Sequence, residues 1–158
     1  MHCPDGKNNN HYPRYHTDVG YGHPPQEINV WVPLTSPVGD QKHGFRMMGL
    51  DRTREILDTY NYSFKDFIND AITSKDFNEE LDKDSPQVNT KFGESLIFDS
   101  RCLHTAEPMK LHTRVSIDIR IISVEDLQNE KFLFQGMGKK KILYKLGQAY
   151  DMRSSDTL

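Results

Sequence analysis

Two stretches of the chain alternate between apolar and polar residues with the period of a β-strand. Residues 26–34 are rich in β-branched and aromatic residues. The period of two places Asn29 and Trp31 on one face of this stretch and its three β-branched residues on the other. Residues 114–123 alternate almost perfectly, and their polar face carries Arg114, Ser116, Asp118 and Arg120. This second pattern predicts either a half-buried strand or a barrel strand whose polar face lines a site.

A different spacing governs the middle of the chain. Between residues 51 and 84, apolar residues recur every three or four positions, which predicts amphipathic helices. We expect Ser63 to be the N-cap of one of them. The expected helices lie near residues 51–59, 63–72 and 75–82. Short apolar runs predict two further strands at residues 45–49 and 95–98, and residues 125–134 carry a less clear helical pattern.

Together these elements predict a mostly β chain with a helical insertion. Many short strands without a strand–helix–strand rhythm are typical of a sandwich or a barrel. A chain of 158 residues is expected to form one domain. We divide it into a domain at residues 1–124, with the insertion at about residues 51–84, and a C-terminal extension. The extension, residues 125–158, is expected to pack on the barrel or to trail from it.

Composition narrows the classes of partner. The formal net charge is −3 and the pI is about 6.1, which gives no reason to expect nucleic acid or an anionic membrane. No apolar run approaches the roughly 20 residues needed to span a bilayer. The two cysteines, Cys3 and Cys102, do not form the pattern of a disulfide framework. We therefore expect a cytoplasmic protein with neither nucleic-acid nor membrane partners.

Three residues have the types and the spacing of a metal site. His16 and Asp18 stand two positions apart, so on an extended strand their side chains project from the same face. His104 follows the apolar run at residues 95–98, where a barrel strand would bring it across. Two histidines and one carboxylate form the facial triad of non-heme Fe(II) oxygenases. A short His-x-Asp motif is weak by itself, and its alternative interpretation is a surface histidine beside a turn-forming aspartate.

The polar face of residues 114–123 adds an anion site to this picture. An inward-facing Arg114 needs a partner, since an unpaired buried charge is costly, and its guanidinium suits a carboxylate. Ser116 would add a hydroxyl to the same anion. A dicarboxylate that reaches from the metal to Arg114 would satisfy both ends. The alternative is that Arg114 pairs with Asp118 or Glu107 of the chain itself.

This arrangement resembles the Fe(II)/2-oxoglutarate-dependent dioxygenases. The pieces are His16-Thr-Asp18, the run Gly-Glu-Ser-Leu-Ile-Phe-Asp that leads to His104, and Arg114-Val-Ser116. They stand in the order of the superfamily pattern of His-x-Asp, a distal His and Arg-x-Ser. Residues 16–35 (HTDVGYGHPPQEINVWVPLT) and 92–121 are similar to the phytanoyl-CoA-dioxygenase-like members, nearest the StrG-like branch of streptomycin biosynthesis. The resemblance covers roughly residues 11–123, interrupted by the insertion.

The resemblance implies a fold and a reaction. The fold is a double-stranded β-helix, the jelly-roll or cupin-like barrel. Fe(II) would be bound by His16, Asp18 and His104, and the co-substrate 2-oxoglutarate by Arg114 and Ser116. With O₂, such an enzyme would hydroxylate a small molecule, and the antibiotic-pathway analogy suggests a carbohydrate or an amino-acid-like compound.

Several neighbouring residues are weaker candidates. Asn29 would contact 2-oxoglutarate or substrate if its face points inward, and Trp31 shares that face as a candidate substrate contact. His23 is expected to line the pocket mouth or to lie in a plain loop. Cys102 is more typical of a small buried thiol than of an iron ligand. Arg120 is expected either to project inward or to reach solvent.

Two departures from the family pattern keep other functions open. Only fifteen residues precede His16, where relatives carry the first barrel strand and its supporting helices. We expect a fragment, a gene truncated at its start, or a minimal form that a partner chain completes, with an open sheet edge favouring a homodimer. The insertion is the second departure, either a lid or a decoration. The alternatives are a non-catalytic or truncated jelly-roll binding module and a cupin-type metal enzyme such as an isomerase.

Overall fold

The computed structural model describes residues 15–35, 45–106 and 114–128. Its strands are β1 (Ile28–Pro33), β2 (Phe45–Met47), β3 (Leu96–Asp99), β4 (His104–Ala106) and β5 (Ser116–Ile121). Its helices are α1 (Leu50–Thr59), α2 (Phe64–Thr73), α3 (Lys75–Asp84) and α4 (Val124–Gln128), with a 3₁₀ turn at Val19–Tyr21. All strands that the sequence pattern predicts are present, and β4 is one that the pattern did not predict.

The described strands form two antiparallel sheets. One has the order β3-β1-β5, and the other pairs β2 with β4. In the larger sheet, Asn29 of β1 lies opposite Phe98 of β3 and Arg120 of β5. In the smaller sheet, Met47 lies opposite His104. The expectation of a mostly β chain is therefore wrong in its balance: α and β structure are mixed, and no closed barrel is present among the described strands.

The larger sheet turns its polar face toward the inside. Asn29, Trp31 and Pro33 of β1 are buried, while Ile28 on the opposite face is exposed. The isoleucines of β5 and Ile97 of β3 share that exposed face, with 65% of Ile97 accessible. The predicted assignment of residues to two faces is confirmed for β1, whose faces differ in burial. In β5, Ser116 and Arg120 are half-buried, while Asp118 and the isoleucines are exposed. That the polar face of residues 114–123 lines a site stays a prediction.

The helical insertion has its own apolar core. Phe67 and Ala71 of α2 and Leu81 of α3 are almost completely inaccessible, and they pack with Met48 and Leu103 from the strand region. Ser74 joins the two helices, and its hydroxyl accepts a hydrogen bond from the N–H of Phe77 at 3.2 Å. The three predicted helices are confirmed, including Ser63 at the N-cap position of α2.

One hydrogen bond attaches this insertion to the segment that leads into β4, and a second attaches the residue that follows β2 to the same segment. The backbone N–H of Leu103 donates to the hydroxyl of Thr53 at 3.0 Å, and the N–H of Met48 donates to the carbonyl of Leu103 at 2.8 Å. Thr53 and Leu103 are both buried. The insertion is therefore part of the frame that holds His104.

The end of the chain is described only in part. Helix α4 covers four residues of the predicted helical stretch at 125–134, and the rest of the 125–158 extension lies outside the described residues, as do Cys3 and Glu107. Within the described ranges, no helix has the length and apolar character needed to cross a membrane.

A substitution at Gly20 tests the packing between the His-x-Asp segment and the insertion. A Cβ at Gly20 would lie 2.0 Å from Cε2 of the Phe64 ring. We expect Gly20→Ala to lower the free energy of unfolding by about 2 kcal/mol, because overpacking of a filled core typically costs that much. Chemical denaturation measures it. Gly49→Ala is the matched control, since nothing lies within 4 Å of a Cβ there, and an equal loss in both variants would contradict the packing argument.

Thr53 tests the link between the insertion and β4. We expect Thr53→Val to lower the free energy of unfolding by about 1–3 kcal/mol, because it leaves the buried N–H of Leu103 without its acceptor. Thr53→Ser keeps the hydroxyl and should lose less. Equal stability of the Val and Ser variants in urea denaturation would show that the hydrogen bond contributes nothing.

Candidate metal centre

The two histidines of the predicted triad face each other across a backbone bridge. The N–H of His16 donates to the carbonyl of His104 at 3.0 Å, and the N–H of His104 donates back to the carbonyl of His16 at 2.9 Å. Directly paired residues of an antiparallel ladder project their side chains from the same face. The imidazole centroids accordingly lie 4.3 Å apart.

A tight turn brings the carboxylate of Asp18 to the same place. The backbone carbonyl of Asp18 accepts hydrogen bonds from the N–H groups of Tyr21 and His23, at 2.9 and 3.1 Å. Gly22 ends the turn with a φ of 104°, a left-handed conformation that glycine adopts without strain. The N–H of Asp18 donates to the carbonyl of Ser100 at 3.1 Å. These bonds tie the turn to the segment that follows β3.

The three side chains converge on one point. Oδ1 of Asp18 lies 3.9 Å from Nε2 of His16 and 3.9 Å from Nε2 of His104. The candidate ligand atoms all lie within 4.8 Å of one another, so small side-chain rotations would bring them onto one ion. All three residues are buried. Two imidazoles and one carboxylate on one side of an ion match the donor set of a facial triad.

A second contact fixes the tautomer of His104. Its Nδ1 lies 3.0 Å from the backbone carbonyl of Cys102. A carbonyl only accepts hydrogen bonds, so Nδ1 carries the proton and donates, which leaves the lone pair on Nε2. This is the outer contact that metal-binding histidines usually make. Cys102 therefore contributes its backbone carbonyl, and its thiol is not among the clustered donor atoms.

The charge states also suit a divalent cation. Burial lowers the pKa of the His104 imidazole, and the charge of Asp18 only partly opposes this. Burial alone would raise the pKa of Asp18, yet the charges of His104, Arg120 and His16 hold it below its usual value. At neutral pH the site therefore offers a neutral imidazole and a carboxylate, the forms that bind metal.

The outer oxygen of Asp18 is held by two residues of the larger sheet. Nδ2 of Asn29 donates a short hydrogen bond to Oδ2, and Nη2 of Arg120 donates to the same atom at 3.2 Å. Oδ1 is left facing the histidines. Asn29 points inward and contacts Asp18, and its expected contact with 2-oxoglutarate or substrate stays a prediction. Arg120, for which two directions were expected, projects inward.

Aromatic rings enclose the histidines. Phe45 stacks on His104 with ring centroids 5.7 Å apart, and Phe98 meets it edge-on at 5.0 Å. Tyr21 lies 5.1 Å from His16, and Trp31 stacks on Phe45 at 5.1 Å. Trp31 is thus a buried part of the wall, in the layer behind the ring that covers His104. These rings restrict rotation of the imidazoles and limit access of water.

The predicted anion-binding residues lie at the start of β5, with Ser116 as its first residue and Arg114 two positions before it. The guanidinium carbon of Arg114 is 6.0 Å from the centroid of the Trp31 ring, and Ser116 is half-buried opposite Pro33. Asp118 lies on the same face, opposite Trp31. Loss of solvent around its carboxyl and the nearby charge of Asp18 raise the pKa of Asp118, while Arg120, His104 and Arg114 oppose the rise.

A buried acidic residue completes this region. His23, a candidate for the pocket mouth, places Nδ1 2.9 Å from Oε2 of Glu27, whose side chain is almost fully buried. Arg120 approaches the same oxygen, with Nε at 3.9 Å. Sequence reasoning missed Glu27, although it stands two positions before Asn29 and so shares its face.

Metal binding is a direct test of the cluster. We expect Co²⁺ to raise the free energy of unfolding by about 2.7 kcal/mol at a concentration 100 times its Kd, because it would bind only the folded protein. Asp18→Asn should abolish the rise, because it removes the anionic ligand. Asp99→Asn is the matched control, since its carboxylate pairs with Arg101 outside the cluster. Thermal unfolding with and without Co²⁺ gives the readout, and an unchanged rise in Asp18→Asn would refute the ligand assignment.

No family profile matches this chain, and no curated protein matches it significantly.

Proposed function

We propose that this chain is an Fe(II)- and 2-oxoglutarate-dependent oxygenase that hydroxylates a small molecule. The observation that carries the proposal is the convergence of His16, Asp18 and His104 into one buried cluster. His104 is distant in sequence from His16 and Asp18, and a backbone bridge and a turn bring the three residues together. Three protein ligands on one side of an iron ion leave positions for a co-substrate and O₂.

Each ligand has a defined part in this proposal. His104 presents Nε2 because the backbone carbonyl of Cys102 accepts a hydrogen bond from Nδ1–H. Asp18 presents Oδ1 because Asn29 and Arg120 donate hydrogen bonds to Oδ2. Such preorganisation lowers the cost of ordering ligands when an ion binds. When bound, Fe(II) would supply the oxidising chemistry, in which one O₂ converts a C–H bond to C–OH and 2-oxoglutarate to succinate and CO₂.

The co-substrate site in this proposal lies along the polar face of β5. Ser116 stands on the same face of β5 as Arg120, and Arg114, two positions before Ser116, places its guanidinium carbon 6.0 Å from the centroid of the buried Trp31 ring. A guanidinium pairs with a carboxylate through two parallel hydrogen bonds. Arg114 would bind the carboxylate of 2-oxoglutarate that is remote from the metal. The aromatic rings around His104 would exclude water from the reacting centre.

A second candidate function is a metal enzyme of the cupin type that does not use 2-oxoglutarate. The observation that favours it is Asp118, a carboxyl opposite Trp31 in the register of β1 and β5, since Trp31 is the residue beside which the Arg114 guanidinium lies. If Arg114 and Asp118 satisfy each other, no carboxylate co-substrate is needed. Binding of 2-oxoglutarate to the metal-loaded protein distinguishes the two functions.

The variant Arg114→Ala distinguishes co-substrate binding from metal binding. We expect Arg114→Ala to weaken 2-oxoglutarate binding by about tenfold or more, since a charge-assisted pair contributes about 1.5–3 kcal/mol. Metal affinity should stay unchanged in this variant, whereas His104→Ala should abolish it. Isothermal titration with Fe(II) and then 2-oxoglutarate under anaerobic conditions measures both. Arg54→Ala, at an exposed residue of α1, is the control.

Two results would overturn the oxygenase proposal. The first is a metal-loaded protein that does not bind 2-oxoglutarate, which would favour the cupin-type enzyme. The second is absence of succinate when the protein is incubated with Fe(II), ascorbate, 2-oxoglutarate and O₂, since such enzymes form succinate slowly even without their substrate. Asp118→Asn adds an internal check: if Arg114 binds the co-substrate, removing the competing carboxyl should tighten 2-oxoglutarate binding.

A further inference from the structure

Next to the cluster of His16, Asp18 and His104 lies a second group of charged and polar side chains, which are not themselves candidate ligands. Glu27, Asn29 and Arg120 meet on the inner face of the larger sheet: Glu27 stands two positions before Asn29, and Arg120 lies opposite Asn29 in the β1–β5 register. The Glu27 side chain is 1% exposed and that of Arg120 is 33% exposed. A buried carboxylate is costly unless it is paired.

The contacts of Arg120 connect this layer to Asp18. Its Nη2 donates to Oδ2 of Asp18 at 3.2 Å, while its Nε lies 3.9 Å from Oε2 of Glu27. One guanidinium thus lies between two carboxylates. The backbone provides a parallel connection, because Ser100 accepts from the N–H of Asp18 through its carbonyl and donates its own N–H to the carbonyl of Glu27.

The position of Arg120 between two carboxylates affects how strongly its positive charge acts on Asp18. An arginine next to a metal ligand has two opposite effects: it holds the carboxylate in place, and its positive charge repels the cation and competes for the carboxylate. A second carboxylate on the far side of the guanidinium offsets that charge and draws it away from Asp18. Without Glu27, more of the positive charge of Arg120 would act on Asp18.

We propose that Glu27 and Arg120 are positioning residues of the metal centre, with Glu27 acting through Arg120 on Asp18. Arg120 orients the carboxylate so that Oδ1 faces the two histidines, and Glu27 keeps Arg120 from neutralising it. His23, 2.9 Å from Oε2 of Glu27, supports the far end of this chain of contacts. The inference rests on the proposed metal-dependent function and concerns groups outside its ligand set.

The test is a double-mutant cycle read out as Co²⁺ affinity. Titration followed by visible absorption gives the Kd for the wild type, Glu27→Gln, Arg120→Gln and the double variant. We expect each single change to weaken binding about tenfold or more, the usual effect of removing an outer partner of a metal ligand. Because Glu27 acts through Arg120, Glu27→Gln should have no further effect in the Arg120→Gln background. Purely structural damage would instead lower affinity in both backgrounds.

The matched control is a surface pair of the same residue types. Arg52 and Glu55 of α1 form an ion pair of 2.8 Å between exposed side chains, and the corresponding cycle of Gln variants should leave Co²⁺ affinity unchanged. Arg120→Lys provides a second route if Glu27→Gln does not fold. It keeps the charge but lacks the fork needed to contact both carboxylates, so we expect an intermediate loss that is smaller than that of Arg120→Gln.

The possible outcomes separate the two proposals. If the wild type does not bind Co²⁺, the metal-dependent function is overturned and this inference with it. If the wild type binds Co²⁺ and Glu27→Gln stays within twofold of it, the metal centre stands and the inference is wrong. The inference is also overturned if the loss of Co²⁺ affinity in the double variant equals the product of the losses in the two single variants. Wild-type Co²⁺ affinity in Arg120→Lys would overturn it as well. A loss from Glu27→Gln that disappears in the Arg120→Gln background supports it.

Discussion

The antiparallel bridge between His16 and His104 is the contact on which the rest of this site depends. Two backbone hydrogen bonds join segments that are far apart in the chain, and they place both imidazoles on one side of the ladder. Asp18 then needs only a short turn to complete the cluster. The remaining structure can be understood as the frame that keeps these two segments in register.

That frame comes from two directions. The helical insertion supports His104 from one side, through the hydrogen bond from Leu103 to Thr53 and the apolar packing of Phe67 and Met48. The larger sheet supports Asp18 from the other side, through Asn29 and Arg120. The insertion is thus a structural support of the site, whatever further part it has in admitting a substrate.

The inward polar face of the larger sheet explains why its apolar face is exposed. A strand has two faces, and here the one with Asn29 and Arg120 is needed next to the ligand cluster, so Ile28 and Ile119 point outward. The polar groups gain charge pairs that offset their burial. The large apolar residues of the outer face remain accessible in the described part of the chain.

The sequence by itself predicted most of the elements and the three residues of the cluster. Period-two alternation fixed which residues of β1 and β5 share a face, helical spacing fixed α1 to α3, and His16-x-Asp18 with a distal His104 predicted the cluster. Only the tertiary structure decided which face points inward, that Asn29 and Arg120 hold Asp18, and that Glu27 belongs to the site. Alternation is the same whichever face is buried, and the partner of a polar side chain depends on the register between strands distant in sequence, which no local pattern encodes.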